Sequence, residues 1–108
     1  MKVYQVRLSD QARRDVEDMY DYILKKDSQA NAEYVLDNIE ALIVNLARSP
    51  ERGHHPEELM RHGIKEYREV FFKPYRIIYE VVDSKVLVHV CVDGRRDMRT
   101  LLERRFFR

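Results

Sequence analysis

Four histidines, one cysteine and twenty Lys+Arg side chains are the groups in this 108-residue chain with the chemistry to do work beyond folding. His54, His55 and His62 fall together in a polar stretch. They have no cysteine beside them and no i,i+4 pairing on a helix, and four-coordinate zinc needs converging nitrogen and sulfur ligands. No metal site is expected from them. His89 lies on the Leu87/Cys91 side of a valine-rich stretch, which predicts a hydrogen-bonded core or edge histidine. Cys91, the only cysteine, cannot form an internal disulfide and is expected to be a buried, inert thiol. There is no glycine-rich phosphate loop and no Ser or Cys nucleophile set beside a base, and the carboxylates are scattered along helices. The sequence therefore assigns no catalytic residue, no metal and no cofactor.

The arginines carry more information. Residues 1–60 hold 8 Lys+Arg against 12 Asp+Glu, whereas residues 61–108 hold 12 against 7, so a formal net charge of +1 hides an acidic half and a basic half. Arg68, Lys73, Arg76, Arg95, Arg96 and Arg99 belong to the basic half, and guanidinium groups make bidentate contacts to phosphate and carboxylate. Two structural readings compete with a binding role. Arg68 and Arg76 can pair across strands with Glu66, Glu69 or Glu80, and Arg104, Arg105 and Arg108 can offset the C-terminal dipole of a last helix. As a set, clustered around one meander and its exit, the arginines read as a binding surface. Phe106 and Phe107 are either interface anchors or aromatic rings folded back onto the core.

The elements that must position these groups follow from periodicity. Lys2 to Leu8 alternates as a strand. Ser9 caps a helix from Asp10 to Lys26, whose apolar stripe includes Ala12, Val16, Met19, Tyr20 and Ile23. After Asp27-Ser28 a second helix runs to about Arg48 and must fold back on the first as an antiparallel hairpin. Residues 51–63 read as a polar loop. Glu66–Phe72, Tyr75–Val82 and Lys85–Val92 form an antiparallel meander, the last with Val86, Val88, Val90 and Val92 on one side. Asp97 caps a short terminal helix. The prediction is an α+β fold in one domain spanning 1–108, a helical hairpin packed on an antiparallel sheet. With 44% hydrophobic residues and no apolar run near the roughly 18 needed to span a bilayer, no membrane role is expected, and without a signal-like N-terminus the location is expected to be cytoplasmic.

Three segments in this order, Gly63-Ile64-Lys65-Glu66-Tyr67-Arg68, Pro74-Tyr75-Arg76-Ile77-Ile78-Tyr79-Glu80-Val81 and Val90-Cys91-Val92-Asp93-Gly94-Arg95-Arg96-Asp97, resemble the RelE/ParE superfamily of bacterial toxin-antitoxin toxins. The likeness runs from about residue 3 to 103. Asp93-Gly94-Arg95-Arg96-Asp97 is similar to the Gly-Arg-x-Asp pattern of the ParE-like, plasmid-stabilising branch. The resemblance implies a toxin that inhibits DNA gyrase without catalysis of its own. RelE-like members instead cut mRNA on the ribosome, and a third class keeps the fold as a non-toxic binding module. The cleaving branch usually carries a tyrosine or histidine after the last-strand arginine, and none lies between Asp93 and Arg108; the aligned position falls near Leu102. By resemblance, Arg68, Arg76, Arg95, Arg96, Phe106 and Phe107 would meet the target. A cognate antitoxin with an acidic amphipathic tail would cross the hairpin and sheet edge, touching Tyr20, Ile23, Arg68 and Arg76, in a heterotetramer or larger complex.

Overall fold

Two serine caps start the helical hairpin. In the computed structural model, which describes residues 2–107, Ser9 Oγ accepts the Ala12 N–H at 3.0 Å and opens α1, Asp10–Lys26. Ser28 Oγ does the same for Asn31 and opens α2, Gln29–Asn45. Each side-chain oxygen satisfies a donor that the first turn leaves unpaired. Ala12, Met19 and Ile23 on α1 face Ala32, Val35, Ile39 and Ile43 on α2, and the helices fold back as expected. The second helix ends at Asn45 rather than near Arg48, because its exit tightens into turns.

The first strand, β1, is Gln5–Leu8 rather than Lys2–Leu8, since the Tyr4 N–H bonds Ala47 O instead of a ladder partner. The polar loop contains one short helix, α3, Glu57–Met60, too brief for periodicity to reveal. The meander forms as predicted from β2, Tyr67–Phe72, β3, Tyr75–Val82, and β4, Lys85–Asp93. The sheet order is β1-β4-β3-β2, and β1 joins parallel to β4, so an antiparallel meander carries one parallel edge strand. The last helix, α4, spans Met98–Phe106.

One irregularity redistributes the core. Tyr79 pairs with Val88 but Ile78 pairs with Val90, which leaves His89 as the extra residue of a β-bulge. The extra residue inverts the alternation beyond it. Val86, Val88 and Cys91 therefore point to the helical hairpin with Ile77 and Tyr79, whereas Val90 and Val92 point to the opposite face with Ile78. The expected four-valine side does not exist, and His89 and Cys91 do not share a face. The opposite face is not left open either: Leu59 of α3 and Met98, Leu101 and Leu102 of α4 cover it.

Asp15 joins the layers. It sits on the apolar stripe of α1, 7% exposed, accepts the Cys91 N–H at 3.0 Å, and pairs with the Arg105 guanidinium at 2.6 and 3.1 Å. Arg105 Nη1 also donates to His89 O at 3.1 Å. Arg105 is thus tied to α1 and the bulge rather than merely offsetting a helix dipole. Removing one partner of a buried pair strands the other charge. Asp15→Ala is expected to lower stability by about 3 kcal/mol, read as a lower urea midpoint; an unchanged midpoint would show that the pair does not hold the layers together.

Candidate functional site

Where β2 and β3 run side by side, Arg76 projects toward β2 and α3. Its Nε donates to Glu69 Oε1 at 2.8 Å, and its two terminal nitrogens grip both oxygens of Glu58 at 2.7 and 2.8 Å. Glu69 is 3% exposed, and its second oxygen lies 3.3 Å from His54 Nε2. A guanidinium shared by two carboxylates is held protonated, its pKa pushed up chiefly by the Glu58 hydrogen bonds. The same bonds hold the Glu58 carboxyl below its ordinary range against the opposing effect of burial. Gly94 makes room for this arrangement, because a Cβ there would fall 2.7 Å from Arg76 Cδ and 3.0 Å from Pro74 O.

The neighbouring loop is fastened to the same strands. His54 exchanges backbone hydrogen bonds with Glu69 at 2.7 and 3.1 Å. Tyr79 donates its hydroxyl proton to Pro50 O at 2.7 Å and accepts the Gly53 N–H at 3.1 Å. Arg68 Nη1 donates to Gly53 O at 2.8 Å and Glu51 O at 3.3 Å. A side chain on Gly53 would collide with Glu69 O, at 2.6 Å from an added Cβ. Arg68 and Arg76 therefore spend donors on the protein's own loop and carboxylates.

At the end of β4 the arginines point outward. Arg95 folds onto Asp93, with Nε and Nη2 bonds of 3.0 and 2.6 Å to the carboxylate, yet stays 77% exposed. That contact holds the Asp93 carboxyl below its ordinary range. Arg96 is exposed and forms no ion pair among the described residues, and Arg99 is 84% exposed. Asp97 caps α4, accepting the Thr100 N–H and hydroxyl at 3.2 and 2.8 Å. Beside this turn a cleft of about 430 Å³ opens between α1 and the strand ends, floored by Met19, Cys91 and Val92 and flanked by Tyr22 and Tyr75. Burial, with Asp15 adding to it, pushes the Cys91 thiol up to about 12, as suits an inert thiol.

Phe106 and Phe107 fold inward: Phe106 packs on Tyr67, with centroids 4.5 Å apart, and Phe107 meets His62 edge-on at 4.8 Å. Ile23 is buried in the hairpin, while Tyr20 is half-buried in a groove between α1 and α2. The structure thus separates the arginines: Arg95 and Arg96 stand together in the open, and Arg68 and Arg76 are engaged inside. Sequence reasoning missed Glu58 and Asp15. Asp15 was legible, since an acid on an apolar stripe between Ala12 and Met19 calls for a buried partner. Glu58 had no such signal, because its place depends on how the 51–63 loop folds back.

The family model of the "ParE toxin of type II toxin-antitoxin system, parDE" matches residues 6–99. No curated protein matches the sequence. A solved chain of the chromosomal ParDE toxin-antitoxin system from P. aeruginosa is similar in structure, with a TM-score of 0.71 and 13% identity over 84% of this chain and 96% of that one. A chain of the toxin-antitoxin complex RelBE2 from Mycobacterium tuberculosis is similar with a TM-score of 0.64 and 21% identity, over 86% of this chain and 93% of that one.

The internal pairing has a pH signature. Glu58 has a folded pKa below its ordinary 4.5, so the stability it contributes is complete above that value and is lost as pH falls through the depressed folded one. Wild-type protein is expected to lose stability on acidification below about pH 4.5 more steeply than Glu58→Gln, as measured by urea midpoints. Identical slopes would mean that Glu58 is not held by Arg76 in solution.

Proposed function

This chain belongs to the family of ParE toxins of type II toxin-antitoxin systems, and we propose that it acts by inhibiting DNA gyrase, without catalysis of its own, and is held inactive by a cognate antitoxin. The observation that carries the reading is the closed pairing of Arg76 with Glu58 and Glu69. Cleavage of RNA through the 2′-hydroxyl needs a base, an acid and a cation for the charge that develops on the phosphate. A guanidinium already matched by two carboxylates offers that charge little net stabilisation. The chain after Asp93 supplies neither Tyr nor His.

The exposed Arg95 and Arg96 suit a non-catalytic role, meeting acidic protein surface or DNA phosphate in a gyrase complex. Arg99 extends the same surface. At the other end of α4, Phe106 packs on Tyr67 of β2 and Phe107 on His62. Both similar solved structures belong to toxin-antitoxin systems, and an antitoxin of this chain would cover these arginines with carboxylates.

The test is a DNA cleavage assay with purified gyrase, supercoiled DNA and ATP. Wild-type toxin is expected to accumulate cleaved-complex DNA, and the double variant Arg95→Glu/Arg96→Glu to need about tenfold more protein or greater for the same yield. Its thermal midpoint should fall by only a few degrees, since neither side chain is buried and the ion pair of Arg95 with Asp93 that it breaks is exposed and contributes little. No cleaved DNA at saturating toxin, or mRNA cleavage on ribosomes instead, would overturn the reading.

A further inference from the structure

The cleft of about 430 Å³ between α1 and the strand ends is of a size that holds a small molecule. Its floor includes Met19 and Cys91, both buried and both carrying polarisable sulfur. Two phenols flank it. Tyr22 is 65% exposed on α1 and Tyr75 is half-buried at the start of β3, and among the described residues neither hydroxyl has a hydrogen-bond partner, whereas the buried Tyr79 hydroxyl has two. Burial raises the Tyr75 phenol above its ordinary range, with Asp93 adding to the shift and Arg95 opposing it, so it stays a neutral donor. The charged edge is built at the exit of β4. Asp93 Oδ1 accepts the Arg95 backbone N–H at 2.9 Å, and the same carboxylate takes Arg95 Nε and Nη2 at 3.0 and 2.6 Å. The guanidinium is therefore fixed in direction, while its Nη1 has no partner among the described residues. Arg96 stands beside it in the lining, whereas Arg13, Arg61 and Arg99 pair along their own helices. The deep acid, Asp15, is matched by Arg105, and Asp18 lies on the α1 side, so an anion is received at the β4 end.

We propose that this cleft binds a small aromatic carboxylate, with its flat ring over Met19 and Cys91 between the two tyrosines and its carboxylate toward Arg95 and Arg96. Sulfur and phenol walls favour an aromatic ring over a saturated one of the same outline. A guanidinium held along one edge keeps its other edge for a charge-assisted contact to the ligand. Asp18 and Asp93 in the same lining tolerate one negative charge better than two, which favours a carboxylate over a phosphate monoester. The site goes beyond the proposed function: it needs neither gyrase nor an antitoxin, and it is tested without them.

The test follows isotope-labelled methionine methyl groups of the intact chain by NMR, because Met19 lies in the cleft while Met60 of α3 and Met98 of α4 lie outside it. Three probes are titrated: naphthalene carboxylate, naphthalene methanol, which lacks the charge, and decalin carboxylate, which lacks the aromatic ring. Naphthalene carboxylate is expected to shift the Met19 signal saturably and to leave Met60 and Met98 in place. It should bind about tenfold more tightly than the alcohol and about threefold more tightly than the saturated acid. The double variant Arg95→Gln/Arg96→Gln is expected to remove the advantage over the alcohol, and Tyr22→Ala to lower the advantage over the saturated acid. All three side chains are exposed, so both variants keep the fold, which circular dichroism melts verify. Equal binding of the three probes, no saturable Met19 shift at millimolar probe, or either advantage unchanged in its variant overturns the proposal.

Discussion

A single guanidinium, that of Arg76, links the second face of the sheet to the loop that crosses it. Its stem passes through the space left by Gly94, its Nε reaches the buried Glu69 of β2, and its outer nitrogens hold Glu58 of α3. Glu69 in turn exchanges backbone hydrogen bonds with His54, so the edge of β2 is capped by the protein's own loop. Strand, loop and turn therefore depend on one another through one charge. Breaking such a pair leaves a buried carboxylate without a partner, a penalty of about 3 kcal/mol or more.

The helical hairpin was legible because both of its helices carry caps, dipole-matched ends or apolar stripes at regular spacing, from Ser9 to Ile23 and from Ser28 to Ile43. The three-strand meander was legible from short turns at Lys73-Pro74 and Asp83-Ser84. What sequence could not supply was the bulge at His89, which depends on how β3 and β4 slip past each other and which sends Val90 and Val92 to a face that simple alternation denies them. Nor could it supply the parallel pairing of β1 with β4, a tertiary choice between sheet edges. The arginines show the same division. Their clustering was visible in the sequence, but which ones remain free was set by where Glu58, Glu69 and Gly53 come to rest.

Charge is thus sorted by depth as well as by position. Inside, opposite charges close on one another: Asp15 with Arg105, and Arg76 with Glu58 and Glu69. On the surface, Glu17, Asp21, Glu33 and Glu40 stand around the groove of α1 and α2, and Arg95, paired with Asp93, stands with Arg96 at the exit of β4. The near-neutral total conceals both. Among the described residues no helix is long and apolar enough to cross a membrane.

Under the proposed function Arg76 belongs to the fold, and the outward Arg95 and Arg96 meet the target. Replacing the internal network by neutral groups of similar size, Arg76→Met with Glu58→Gln and Glu69→Gln, removes its charges without stranding any of them. The yield of gyrase-cleaved DNA per mole of this variant, measured at a temperature where circular dichroism shows it folded, is the direct test. Wild-type yield is the predicted result. A folded variant that no longer traps cleaved DNA would place Arg76 in the target contact and contradict the account.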